Sequence, residues 1–180
     1  KGETETGVTT MFMEKKLDAG DVLLSQATPI LPDDTAGSLH DRLCQIGAKL
    51  LLETIDRLEA GILIARPQDH FLATYAPMLE KNDGRIDWEK PAECIVRLIR
   101  GMSPWPGAFT FLDNKRIKIF TARNASCEND AAPGTVLRGF ENELRVATGG
   151  GDPAARTAHA SAPRASGSGG SGASRTNASG

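Results

Sequence analysis

Gly7-Val8-Thr9-Thr10-Met11-Phe12-Met13 runs into Glu14-Lys15-Lys16 and then into Leu17-Asp18-Ala19-Gly20-Asp21-Val22-Leu23. The first seven residues are β-branched or apolar and are bounded by a glycine and by charge, which predicts a buried strand. Leu17 to Asp21 reads as a turn, since Asp and Gly are the residues that turns favour. Val22 to Ile30 is a second extended run, closed by Pro29 and Pro32. A carboxylate in a loop directly after a buried strand occupies a usual place for site chemistry in α/β folds. That makes Asp18 the first candidate catalytic residue.

Outward from this stretch the pattern turns helical. Asp33-Asp34-Thr35 supplies acidic and capping residues at a helix start. Leu39, Leu43, Ile46 and Leu50 then recur at spacings of one helix face. Gly47 is expected to divide this segment into two helices, ending near Gly61. Residues 62–80 carry Pro67 and Pro77 and no clear period, so they read as an extended linker. A short helix follows Pro91, with Ala92, Ile95 and Ile99 facing inward, and Pro104-Trp105-Pro106-Gly107 ends it.

Beyond that point the alternation is that of strands: Ala108 to Leu112, a turn at Asp113-Asn114, Ile117 to Phe120, Val136-Leu137 and Leu144 to Val146. Short strands at such spacing suggest a small antiparallel barrel. From residue 150 to 180 there is no Leu, Ile, Val, Met, Phe, Trp or Tyr. Such a stretch cannot bury enough apolar surface to offset its chain entropy, and it is expected to be a disordered low-complexity tail.

Charge divides the chain as well. Residues 1–80 hold 7 Lys/Arg against 13 Asp/Glu, whereas residues 81–149 hold 11 against 9. The asymmetry suggests two units with different partners. The basic residues of the second part, from Lys81 and Arg85 to Arg145, can hold a phosphate backbone if they gather on one face. Trp88 and Trp105 read more readily as core aromatics than as base-stacking platforms. Three scattered cysteines, Cys44, Cys94 and Cys127, form neither a disulfide framework nor a zinc motif and fit a reducing, cytoplasmic compartment. No run approaches 18 apolar residues, so no membrane span is expected. His40, His70 and His159 share no metal-ligand spacing and read as surface or structural residues.

Taken together, these residues resemble a family. Gly7 to Leu23 looks like the signature of the folate-dependent formyltransferases, and Asp34-Thr35-Ala36-Gly37-Ser38-Leu39 fits the segment that follows it. Tyr75-Ala76-Pro77-Met78-Leu79-Glu80-Lys81 and Gly84-Arg85-Ile86-Asp87-Trp88 resemble the junction to the second domain in the methionyl-tRNA formyltransferase family. Ile99-Arg100-Gly101, Pro104 to Ala108, Ala132 to Val136 and Arg145 to Gly149 add to the match.

The resemblance implies the C-terminal part of a Rossmann-like formyltransferase domain over 1–61 and a linker over 62–80. An incomplete OB-like antiparallel β-barrel that binds tRNA then occupies 81–149, ahead of the disordered tail over 150–180. It implies an enzyme that moves a formyl group from 10-formyltetrahydrofolate to the amino group of methionine on initiator tRNA. Asp18 is the implied catalytic residue, and Met13, Leu17, Asp18 and Gly20 the implied folate contacts. Lys81 and Arg85 are the implied tRNA contacts, lining a channel between the two domains. The partners implied are initiator methionyl-tRNA and folate, with no DNA, no membrane and a monomeric full-length form. The family's Asn-x-His-Pro-Ser motif is not among these residues, so the chain reads as a partial copy, inactive by itself. Two alternatives stand beside this reading: a sugar-nucleotide formyltransferase, and a non-catalytic RNA-binding module.

Overall fold

A computed structural model describes residues 2–125, 130–139, 143–150 and the backbone of 157–161. Strand β1 (Glu5–Met11) turns back through the Asp18 loop into β2 (Val22–Pro29), and the two pair antiparallel. The expectation of a buried strand is corrected here. Along β1 the side chains alternate between exposed and half-buried, because helix α1 (Ala36–Glu59) covers one face of the hairpin. Leu50 and Thr54 are the buried residues of α1, and the Thr54 hydroxyl lies 2.9 Å from that of Thr10.

Thr35 caps α1 through a reciprocal box: its side chain accepts from the Ser38 amide, and the Ser38 hydroxyl accepts from the Thr35 amide. Asp34 ties this end down further, accepting from Leu31 N and pairing with Arg42. The helix runs unbroken through Gly47, against the expected division. A side chain at position 47 would meet Val8 Cγ1 at 3.4 Å, an ordinary van der Waals contact, so the hairpin leaves room there.

Residues 62–80 hold one 3-10 turn, His70–Leu72, and one bridge, in which Arg66 and Val22 exchange both backbone hydrogen bonds. Helix α2 (Ala92–Gly101) then packs Ala92, Ile95 and Ile99 inward, the face its periodicity selects. Ile95 and Ile99 join Ile86, Ala108 and Ile119 in the main core, with Trp88 and Met102 at its margin. The Trp88 indole donates to Thr110 Oγ1, while Trp105 stands 58% exposed.

Strands β3 (Ala108–Leu112) and β4 (Lys115–Ile119) form a hairpin whose turn, Asp113-Asn114, has both φ angles positive. A separate four-stranded antiparallel sheet runs in the order β5 (Thr121–Ala125), β8 (Thr157–Ser161), β7 (Leu144–Ala147), β6 (Val136–Leu137). Strand β8 departs from the expectation of a disordered tail at residues 157–161, while 151–156 and 162–180 lie outside the described residues. Its backbone pairs with β5 on one side and β7 on the other. Those two strands would otherwise present unpaired edges, and satisfying an edge requires backbone hydrogen bonds rather than apolar side chains.

The two halves meet where the Gly37 amide donates to Ser103 O at 3.0 Å. A side chain at Gly37 would collide with Pro104. Nearby, a cavity of about 380 Å³ is lined by residues of both helices, including Asp34, Thr35, Leu39, Arg97 and Arg100.

Candidate active site

The loop between β1 and β2 is built around two constraints. Asp18 adopts φ +53°, a conformation that non-glycine residues rarely take and that Asp tolerates better than most. Gly20 is buried against the main chain: a side chain there would place Cβ 1.8 Å from Phe12 O. Only glycine fits, so the Asp-x-Gly spacing of the loop has a steric cause. The loop is closed below by the Phe12 amide donating to Asp21 O at 3.0 Å.

From the opposite side Gln68 clamps the loop. Its side-chain amide donates to Asp18 O at 3.0 Å and to Gly20 O at 2.7 Å, with Met11 Sδ at 3.7 Å. The Arg66–Val22 bridge two residues earlier holds Gln68 in register. Asp18, Val22, Gln68, Asp69, His70, Leu72 and Ala73 line a cavity of about 320 Å³. Asp69 caps the 3-10 turn there by accepting from the Phe71 amide. Residues 62–80, read from sequence as a plain linker, thus supply one wall of the Asp18 site. No signal in the chain marked Gln68 or His70 for this: the segment has no period, and a glutamine amide takes its meaning only from what it faces.

Of the other residues singled out by sequence, Met13 is 98% and Leu17 90% exposed, and neither lines the cavity that holds Asp18. Lys81 sits in a 3-10 turn, Lys81–Gly84, and is exposed. Arg85 is exposed too, its guanidinium carbon 5.9 Å from the centre of the Phe111 ring. Neither lines the cavity between the halves, where Arg97 and Arg100 stand instead. The chain leaves the 3-10 turn by pairing Arg85 beside Phe109, on the β3 side of the core. Among the described residues no group of His, Cys, Asp and Glu can hold a metal ion, and no helix is long and apolar enough to cross a membrane. His40 lies against Cys44 on the surface of α1, while Cys127 and the side chain of His159 lie outside the described residues.

The family model for formyl transferase matches residues 1–55, and that for the formyl transferase C-terminal domain matches residues 78–162. A methionyl-tRNA formyltransferase of Geotalea uraniireducens is 53% identical over 150 residues, covering 83% of this chain and 47% of the relative. The chain spans about half the length of the curated relatives it matches. Among solved structures, HypX from Aquifex aeolicus in complex with tetrahydrofolic acid superposes with a TM-score of 0.65 at 23% identity, over 88% of this chain and 27% of that one. An N-formyltransferase from Helicobacter canadensis, in complex with folinic acid and dTDP-3-aminofucose, gives 0.65 at 19% identity, over 88% and 56%. At these identities the structural likeness speaks to the fold.

Proposed function

The chain belongs to the formyl transferase family, and we propose that its protein transfers a formyl group from 10-formyltetrahydrofolate to the amino group of methionine on initiator tRNA. The observation that carries this reading over a sugar-nucleotide acceptor is the 53% identity to a relative named for methionyl-tRNA. The solved structures do not separate the two acceptors: an N-formyltransferase bound to dTDP-3-aminofucose stands at 19% identity and a methionyl-tRNA formyltransferase from Clostridium thermocellum at 18%.

Asp18 is the catalytic residue of this reading. The main chain of its loop is set from three sides by Gly20, Gln68 and the Phe12–Asp21 hydrogen bond, and Asp18 borders the cavity of about 320 Å³. Preorganised charge of this kind is worth most where charge changes during reaction. When bound, the folate supplies the formyl carbon. In the whole protein Asp18 would orient and stabilise the protonated imidazole of the family's Asn-x-His-Pro-Ser motif, which these residues do not include, and would take part in moving the proton that the attacking amine loses. Exposed Phe12, Met13 and Leu17, close in sequence to Asp18, suit an aromatic heterocycle with polar edges. Met13, Leu17, Asp18 and Gly20 are therefore assigned to the folate.

Residues 1–61 form the catalytic side of this scheme and 62–80 the connection. The strands after residue 81 form an OB-like unit for tRNA, joined by β8. The protein acts in the cytoplasm as a monomer.

The test joins residues 1–180 behind the first half of the Geotalea uraniireducens relative and supplies 10-formyltetrahydrofolate with charged initiator tRNA. N-formylmethionyl-tRNA is the expected product. Formylation of an amino sugar nucleotide in its place would overturn the assignment.

A further inference from the structure

The basic residues of the second half do not behave alike. Arg97 is engaged with Glu93, and Arg123 and Arg145 share Glu143. Arg85, Arg116 and Lys118 have no such acidic partner among the described residues; two of them lie over aromatic rings instead. Arg116 places its guanidinium carbon 3.7 Å from the centre of the Phe109 ring, and Arg85 approaches Phe111 at 5.9 Å.

The register of the β3–β4 hairpin puts these groups on one face. Phe109 pairs with Lys118 and Phe111 with Arg116, and directly opposed residues of an antiparallel pair point the same way. Arg85 joins from the side, since it bridges to Phe109 and the following amide, Ile86 N, donates to Phe109 O at 2.8 Å. The two rings meet edge to face with centroids 5.8 Å apart. Phe109 is 4% exposed and serves as the floor, while Phe111 is 52% exposed and stands open. The acids closest along the chain to Arg85 are already used: Asp83 accepts from the Glu80 amide and Asp87 from the Glu89 amide.

An exposed ring amid three cations has the chemistry of a single-strand platform, where a base stacks on the ring and the flanking phosphates meet the cations. A duplex keeps its bases stacked on one another and offers the ring no π face. We propose that this face, Arg85, Phe111, Arg116 and Lys118, binds an unpaired nucleotide of the RNA partner. The proposal deepens the tRNA reading above and rests on it for the identity of the RNA.

The test titrates the 180-residue protein with a fluorescent eight-nucleotide single-stranded RNA, and with a duplex of equal length, over a range of salt. Single-strand binding is expected to be the tighter. Phe111→Leu, which keeps the apolar bulk and removes the π face, should weaken single-strand binding about tenfold and leave duplex binding unchanged. Lys118→Gln, at an exposed position, should reduce the logarithmic salt slope by about 0.7. Circular dichroism melts matching the parent identify folded variants.

Single-strand binding that is absent, insensitive to Phe111→Leu, or equally competed by polyglutamate would overturn the proposal, the last by pointing to an acidic protein surface. Formyl transfer is measured separately. Transfer to tRNA with a silent Phe111→Leu defeats this proposal alone. Ring-dependent RNA binding without transfer defeats the activity and leaves the platform standing.

Discussion

Gln68 donates its side-chain amide to the main-chain carbonyl of Asp18 at 3.0 Å, across 50 positions of sequence. The same amide also reaches Gly20 O at 2.7 Å, so a single side chain fixes both ends of the Asp-x-Gly turn. Each such bond contributes about 0.5–1.5 kcal/mol net. Gln68→Ala should therefore speed amide hydrogen exchange across residues 18–21 by about tenfold or more. Exchange in α2 should be unchanged. Gln68→Glu should act in the same direction, because a carboxylate has no hydrogen to donate and faces two carbonyl oxygens. Unchanged exchange in the loop would show that Gln68 is not its clamp.

Gly20→Ala should be more damaging than its size suggests. The added carbon would stand 1.8 Å from Phe12 O, and no rotamer relieves a clash with backbone. The β1–β2 loop must open, breaking the Phe12–Asp21 hydrogen bond. Backbone amide resonances of Phe12 and Asp21 should move, while those of β3 and β4 should not.

Acid should loosen the start of α1 in a defined window. Asp34, with a side chain 7% exposed, is held down from 3.8 to about 2, first by its hydrogen bonds from Arg42, then by that from the Leu31 amide. Because the folded value lies below the ordinary one, this contribution is fully present above pH 3.8 and is lost as pH falls toward 2. Thermal melts of the parent should fall through that window, and those of Asp34→Asn should start lower and fall less. Parallel curves would remove Asp34 from the acid response.

Core packing gives a prediction of known scale. Ile95 is 1% exposed at the centre of the α2 core, so Ile95→Ala should destabilise by about 2–5 kcal/mol in urea unfolding. A loss below about 1 kcal/mol would mean that the core collapses onto the cavity.

What was legible in the amino-acid sequence follows from which forces act locally. The inward face of α2 and the Asp113-Asn114 turn were readable because side-chain period and turn chemistry are local properties. Strand β1 was read as buried because its apolar content was taken as two-sided. The structure covers one face with α1 and leaves Thr9 exposed. The division expected at Gly47 was wrong because one glycine costs a helix only about 1 kcal/mol, which the rest of the 24-residue α1 outweighs. Strand β8 was missed because composition reports side-chain burial and is silent on the hydrogen bonds that β5 and β7 need. At the candidate site Asp18 and Gly20 were legible as a turn. Gln68 was not, since its role lies in two carbonyls 50 and 48 positions away.

We propose Asp18 as the catalytic carboxylate of formyl transfer to charged initiator tRNA. The most direct measurement is single-turnover formyl transfer from 10-formyltetrahydrofolate by residues 1–180 joined behind the first half of the Geotalea uraniireducens relative, compared with the same protein carrying Asp18→Asn. The substitution keeps the size and loop geometry and removes the charge. The account predicts an unchanged melting profile, unchanged tRNA binding and a transfer rate lower by about two orders of magnitude or more. An Asp18→Asn protein that transfers formyl at the parent rate would contradict it.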